Sequence, residues 1–510
     1  MSDAPRRRGR RDRPAGPQAP AQPPWRTHRR PFEPTRVVSD DQLEAIHESS
    51  LRVLRETGIV FLHPEARRMW ADAGADVQGD RVRFDAELIA DLVASAPSEF
   101  TVHATDPARN LHIGGDSVAF GAVASAPNVE TRAGGRRTGN HEDFRNLVRL
   151  SEALSSVSFH GGYPVEPVDV HPSIRHLVAL QDLFTLSTKS VGAYSLGRQM
   201  NRDAIEMVKI VRGIDDARLD VEPSIHSVIN CNSPLQLDTP MLNGILEFSA
   251  RNQVIVLTPF TLAGAMAPVT IAGAVVQQNA EALAGIAFTQ LVRRGAPVVY
   301  GGFTSNVDMQ SGSPAFGTPE YVQSAMLGGQ LARRYGVPYR SSGVNAANAV
   351  DAQAGYESVF ALWGAVMGGA HMIWHSVGWM EGGLKASYEK MMVDNDIVNS
   401  VATFLQPLVV DDATMAVEAI AEVGPGGHFF GVQHTQDRYR DAFFSPAVSD
   451  WRNYETWEEA GAPTSLDHAE RLVAAHLATY EEPTMDPQRR AELEEFVQRR
   501  IAEGGVETDF

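Results

Sequence analysis

Between Asp116 and about residue 396, eight short apolar segments alternate with helical ones, and this alternation constrains the fold more than any other feature. The segments are SVAFGA, SVSFHGGYP, KSVGAYSLG, SIHSVINCNSP, QVIVLTPF, PVVYGGFTS, PYRSSG and HMIWHSVG. Between them run helical patterns such as RHLVALQDLFTL, RDAIEMVKIVRGI and VTIAGAVVQQNAEALAGIAFTQLVRRG. Strands that alternate with helices pair in parallel, because each helix carries the chain back to the same edge of the sheet. Eight such units fit a closed (β/α)8 TIM barrel better than an open doubly wound sheet. No GxGxxG or GxxxxGK[ST] follows the first strand, which argues against the nucleotide-binding α/β folds.

The flanks set the expected domain organisation. Residues 1–36 form an Arg- and Pro-rich tail with little to bury and are expected to be disordered. Residues 37–115 read as an α+β lead-in. Ser39 and Gln42 form a capping box, Leu43, Ile46, Leu51 and Leu54 share one helical face, and a second helix is expected at Ala86–Ala94. The barrel is assigned to residues 116–396. Residues 397–510 are read as C-terminal helices and a loop that pack on the barrel or on a second subunit, so a homo-oligomer is expected. A helix is placed at Ile397–Val410, and TRAGGRRTGN is read as a turn.

A net charge of -18 disfavours binding to nucleic acid, and one cysteine, Cys231, rules out a disulfide framework. No apolar run is long enough for a bilayer, and the basic N-terminus lacks a secretory core, so a cytoplasmic protein with no membrane partner is expected.

In such a barrel, chemistry belongs to the loops after the strands. Two adjacent loops between Tyr339 and Glu381 stand out. One carries Asn345, Asn348 and Asp351, and the other carries His375, Trp379 and Glu381. The other strand ends add His160, Tyr163, Tyr194, Asn230, Thr258, Phe260, Phe303, Asn306 and Asp308. HExxH, GxSxG and a strand-ending lysine are all missing, so no metal-hydrolase, serine-nucleophile or Schiff-base pattern is present, and no metal is expected. Aromatic faces attract cations, and amides suit a carboxylate tail. The candidate substrate-binding set is therefore Tyr163, Tyr194, Phe303, Asn306, Asn345, Asn348, His375, Trp379 and Glu381, with no catalytic group assigned. Each aromatic fits a packed core as well as a cage. Trp363 and Trp374 are read as core, His371 as structural, and Asp351 as an acid/base group or a helix cap.

The segments GGYPVEPVDV (Gly161–Val170), GAMAPVTIAGAVVQQNAEALAG (Gly264–Gly285), DAQAGYE (Asp351–Glu357), GGHFFGVQHTQDRYRDAFFSP (Gly426–Pro446) and NYETWEEAG (Asn453–Gly461) together resemble the trimethylamine methyltransferase family. The resemblance runs from about Pro31 to about Pro483. It implies a TIM barrel that moves a methyl group from a methylamine to the cobalt of a separate corrinoid protein. The corrinoid, a cobalamin, would be supplied by that partner and not bound by this chain. Archaeal members carry pyrrolysine just ahead of the stretch matching DAQAGYE. Here SSGVNAANAV occupies that loop with standard residues only, and the position falls within Asn345–Asn348.

That departure implies a pyrrolysine-free branch similar to glycine betaine methyltransferases, with a small quaternary amine as substrate. A quaternary nitrogen is already charged and leaves as a neutral amine without needing a proton. The expected site is a mostly neutral aromatic and amide cage, with Glu381 or Asp308 at its edge and glycines leaving room for the corrinoid partner. Alternatives are demethylation of proline betaine, carnitine or trimethylamine, or a barrel that binds quaternary amines without turnover.

Overall fold

The structure, a computed structural model, describes residues 20–507. All eight expected strands form: β1 (Ser117–Ala122), β2 (Phe159–His160), β3 (Ser190–Val191), β4 (His226–Cys231), β5 (Val254–Pro259), β6 (Val298–Gly301), β7 (Tyr339–Ser342) and β8 (Met372–Val377). Their hydrogen-bonded order is β3-β2-β1-β8-β7-β6-β5-β4. A parallel bridge between Gly192 and His226 joins the two ends, and Ala193 N donates to the His226 carbonyl at 2.9 Å. The protein is a (β/α)8 barrel.

A long helix follows each strand: α1 (His141–Ala153), α2 (Pro172–Leu186), α3 (Arg198–Arg212), α4 (Thr239–Ala250), α5 (Ile271–Val292), α6 (Pro319–Tyr335), α7 (Ala352–Met367) and α8 (Tyr388–Phe404). Local sequence explains their ends. Asn140 and Asp143 cap α1 reciprocally. Gly336, at φ +65°, ends α6 in the left-handed conformation that a Cβ disfavours. α5 has no single apolar face because it is buried on most sides from Ala274 onward, with the barrel on one face and the lead-in on the other, and its Gln278, Asn279 and Glu281 are buried too. Trp70, Phe61 and Phe84 of the lead-in close on Phe288 of α5, with centroid separations of 5.7 Å for Phe61–Phe288 and 5.8 Å for Trp70–Phe288. The helix Asp40–Glu56 carries the expected Ser39–Gln42 capping box, and the helix Ala86–Ala94 has the expected limits.

Several expectations need correction. Of the 1–36 tail, residues 1–19 lie outside the described residues. From residue 20 the chain is placed, and His28–Arg29 pairs antiparallel with Ser117 and Val118 of β1. His28 and Arg30 are buried there, so burial against the barrel outweighs the Arg/Pro composition. The boundary at 396–397 falls inside α8, which starts at Tyr388 and ends before the expected Val410. Its buried Lys390, Asp394 and Asp396 interrupt the apolar pattern that would have revealed it. TRAGGRRTGN is part of a hairpin, Asn128–Thr131 with Gly135–Thr138. That hairpin joins Lys385–Ser387 in a rim sheet beside the mouth. Trp363 is not core, being 37% exposed on α7.

The helices Ser465–Ala478 and Pro487–Ala502 pack on the same chain's barrel, the first on α8 and α1 and the second on α2 and α3. Arg500 Nε meets Asp203 of α3 at 2.9 Å, and that carboxylate also accepts from His176 at 2.8 Å. Among the described residues, no helix is long and apolar enough to cross a membrane.

Candidate active site

A cavity of about 450 Å³ opens at the carboxyl ends of the strands. Every strand, or the loop after it, contributes to the wall. Gly161 follows β2, Tyr194 follows β3, Asn230 ends β4, and Thr258 and Phe260 end β5. Phe303 follows β6, Arg340 comes from β7, and Trp374, His375 and Trp379 come from β8 and its loop.

β8 aims two of these by an irregularity. Its register against β1 shifts between Ile373 and Val377, and His375 sits at φ +58°. A non-glycine residue held in that region marks local strain, which such sites often store. The His375 ring stacks on Trp379 at 5.0 Å and meets Phe303 edge-on at 5.9 Å. Burial first, and the Arg340 charge second, push its pKa well below the ordinary histidine value. The imidazole is therefore neutral at physiological pH, and its Nδ1 makes no hydrogen bond.

Arg340 departs most from the expected neutral cage. It is 3% exposed, and its Nε and Nη1 make no hydrogen bond. Its guanidinium carbon lies 5.0 Å from the Phe303 ring centroid and 5.2 Å from that of Trp374. Burial lowers its pKa to about 10, against upward pulls from Tyr321 and Tyr339, so it remains a cation at neutral pH. A buried charge without a partner costs free energy unless something pairs with it. Glu166 is a second unforeseen charge in the wall. Burial raises its pKa, and Arg175, at 3.5 Å, pulls it down.

The sequence-based candidates divide. Tyr194, Phe303, His375 and Trp379 come together on the wall. Tyr163 lies behind Tyr194, with ring centroids 4.3 Å apart, and its N–H donates to the Tyr194 hydroxyl at 3.2 Å. Asn306 accepts from Thr318 at 3.1 Å and is not in the wall. Asn345 is buried and donates to the Trp379 carbonyl at 2.6 Å, so it braces the neighbouring loop and does not face the cavity. Asn348 is exposed, and its carbonyl accepts from Lys385 at 2.7 Å. Glu381 is held by Arg136 at 2.9 Å and Lys385 at 3.0 Å in the rim. Asp308 closes its own turn through Ser311, and Asp351 caps α7. His371 bridges the Tyr339 N–H and the Gly115 carbonyl.

The strand-end glycines serve the chain's own rings. A Cβ on Gly161 would lie 2.2 Å from Trp374 Nε1, and one on Gly162, at φ +142°, would lie 2.4 Å from the Tyr194 ring. Trp374, expected in the core, is buried and also lines the cavity. Arg340 had a sequence signal, a charge inside the otherwise buried strand PYRSSG. Reading only the residues beyond each strand passes over it.

The match to known proteins covers almost all of this architecture. Residues 6–505 match the family model described as trimethylamine methyltransferase (MTTB). The chain belongs to the trimethylamine methyltransferase family. It is 34% identical over 475 residues to a glycine betaine methyltransferase of Desulfitobacterium hafniense (strain Y51), covering 92% of this chain and 98% of the relative. It is 28% identical over 474 residues to a trimethylamine methyltransferase of Desulfitobacterium hafniense (strain DSM 10664 / DCB-2), covering 92% and 94%. The solved Methanosarcina barkeri monomethylamine methyltransferase has the same fold, with a TM-score of 0.50 at 12% identity, covering 90% of this chain and 88% of that one. Family membership makes this chain a methyltransferase.

Protonation tests the core under this cavity. Burial holds His28 and His371 at about 4 and His160 and His226 at about 3. Unfolded, each would ionise near the ordinary histidine value of 6.5. Below that pH the unfolded chain binds more protons, so each histidine's contribution falls as pH drops from 6.5 toward its folded value. The slope is about 1.4 kcal/mol per pH unit for each histidine. Neither ring nitrogen of His226 has a partner, and its ring packs against Phe159 and Trp374. His226→Phe should remove one proton's worth of slope in urea unfolding between pH 6.5 and 4. An unchanged slope would contradict the assignment.

Proposed function

We propose that this protein transfers a methyl group from the quaternary ammonium of a small zwitterion, glycine betaine first, to the reduced cobalt of a corrinoid carried by a separate protein. The observation that carries the reading is Arg340, a buried and unpaired cation in the same cavity as five aromatic side chains and a neutral imidazole. A carboxylate is the natural partner of a planar guanidinium fork. Once it is seated there, its trimethylammonium end meets the rings of the wall, whose faces attract cations. Trimethylamine has no carboxylate, so it would leave Arg340 unpaired beside a second positive charge.

The bond changes balance without a proton donor. The C–N bond breaks, its electron pair stays on nitrogen, and the methyl carbon bonds to the metal's electron pair. A neutral tertiary amine with its carboxylate intact leaves. Neutral His375 supplies no proton and does not need to. Arg340 contributes beyond binding, because a fixed positive charge near the ammonium disfavours the charged ground state and eases charge loss at nitrogen.

The test mixes the protein with a corrinoid protein reduced to cobalt(I) and offers amines singly. Glycine betaine should convert the visible spectrum to the methylated form. Conversion by trimethylamine or tetramethylammonium, and by no zwitterion, would overturn the reading. Proline betaine or carnitine as the faster donor would shift the substrate within the same class. In this assay Trp379→Ala should raise KM for betaine roughly 2- to 30-fold, the range set by one cation–π contact of about 0.5–2 kcal/mol. An unchanged KM with lowered Tm would return Trp379 to a packing role.

A further inference from the structure

We infer that Glu166 is the counter-charge for the ammonium end of the substrate, so that the cavity seats a zwitterion between two fixed charges, its carboxylate inward and its methyl groups toward the mouth. This rests on the carboxylate clamp proposed for Arg340 and adds the group that holds the other end. Among the described residues of the wall, Arg340 is the one cation and Glu166 the one acid. Neither is fully satisfied within the protein. Arg340 has two nitrogens without a hydrogen bond. The Glu166 carboxylate meets Arg175 at 3.5 Å, which is long for a charge-assisted bond, and keeps 25% of its side chain exposed. Arg175 is itself committed to the Val170 carbonyl, through Nε at 3.2 Å and Nη2 at 3.0 Å. The acid also stands beside the aromatic wall. Burial first, and the Glu166 charge second, raise the pKa of both Tyr163 and Tyr194.

The two charges lie at different depths. Arg340 belongs to the barrel itself, in register with Gly301 of β6 and Met372 of β8. Glu166 lies in the loop that leaves β2 after His160, and its N–H donates to the carbonyl of Ala126, in the loop after β1, at 2.9 Å. That bond holds it beyond the strand ends, at the entrance. β1 and β8 stand between β2 and β7 in the barrel. The charges therefore stay apart, Arg340 answering to Tyr321 and Tyr339, and Glu166 to Arg175.

A cation deep in a cavity and an anion at its entrance make a fixed dipole. A zwitterion aligned against it relieves both charges, whereas one turned end for end meets like charge at each end. The favoured orientation leaves the methylated nitrogen at the mouth, the side from which a separate protein must reach it. The sign of the effect also separates the two residues. A carboxylate near the ammonium favours the charged ground state, so Glu166 serves binding and orientation and does not speed the loss of charge at nitrogen.

Calorimetry on the full chain, above neutral pH, tests this with two ligands of one shape. They are glycine betaine and 3,3-dimethylbutanoate, in which a carbon replaces the nitrogen and removes its charge. Glu166→Gln should weaken betaine roughly 10-fold or more, the scale of a unit charge several ångströms away in a partly wet site. It should leave 3,3-dimethylbutanoate unchanged or bound more tightly. In the corrinoid assay the same variant should raise KM for betaine without lowering kcat. Equal weakening of both ligands would assign Glu166 to the fold of its loop and overturn the inference. So would unchanged betaine binding, or a loss confined to kcat, and each of these leaves the Arg340 clamp standing. A wild-type protein that binds neither ligand would instead remove the clamp, and the inference with it.

Discussion

Arg340→Met should lower kcat/KM for glycine betaine by roughly 30- to 5,000-fold while leaving the fold as stable as, or more stable than, the native chain. The first effect follows from losing a desolvated ion pair with the substrate carboxylate, about 2–5 kcal/mol when one partner is truncated. The second follows because the free protein holds this guanidinium 3% exposed, with two of its nitrogens unbonded. Replacing an unpaired buried charge with an apolar side chain of similar length removes a cost. A residue with a merely structural role would lose activity and stability together. Selectivity should change as well, the preference for betaine over tetramethylammonium shrinking as kcat/KM for betaine falls. Arg340→Lys keeps the charge without the fork and should recover only part of the activity. Steady-state kinetics with both amines, alongside urea unfolding, separates these outcomes. Full activity in Arg340→Met would remove the carboxylate clamp.

Lys390→Met should destabilise the protein by about 3–5 kcal/mol, the usual cost of breaking a buried ion pair on one side. Lys390 and Asp394 pair one helical turn apart on α8, both fully buried. Lys390 Nζ also donates to Ser358 at 2.9 Å. Ser358 accepts from Asn345, which in turn holds the Trp379 carbonyl. Asp394 accepts the Gly378 N–H at 2.8 Å. The pair thus clamps the backbone that carries Trp379 into the cavity. Without Lys390 the carboxylate stays buried against one N–H, and burial already raises its pKa. A carboxyl whose folded pKa lies above its unfolded value costs stability as pH rises. The deficit of Lys390→Met should therefore shrink as pH is lowered from 8 toward 5. Lys390→Met with Asp394→Leu, which removes both charges, should regain much of the loss. Urea midpoints at the two pH values test this, and a pH-independent deficit would place the damage in packing alone.

The barrel was legible because its signal is local and repeated. Each strand is a short apolar run bounded by glycine or a polar turn, and helix caps such as Ser39–Gln42 are written within four residues. Tyr194, Phe303, His375 and Trp379 were reachable too, because positions just past a strand face the mouth of any such barrel. α8 was misplaced because its Lys390–Asp394 pair disguises buried positions as solvent-facing ones. Composition likewise suggested a free tail over residues that the barrel holds at His28 and Arg29.

Sequence alone therefore determined the barrel, the end of it at which the cavity opens, and the family, since each rests on short-range periodicity or on long contiguous motifs. Tertiary structure decided the rest, because it turns on contacts between residues far apart in the chain. Asn345 braces a loop instead of facing the cavity because Trp379 offers it a carbonyl 34 positions away. Gly161 and Gly162 make room for Trp374 and Tyr194, where open space for a partner was expected. The one free cation among the described wall residues, Arg340, stands out only by what is missing around it. Whether a buried charge has a partner is a property of three-dimensional surroundings, and no periodicity in the sequence encodes it.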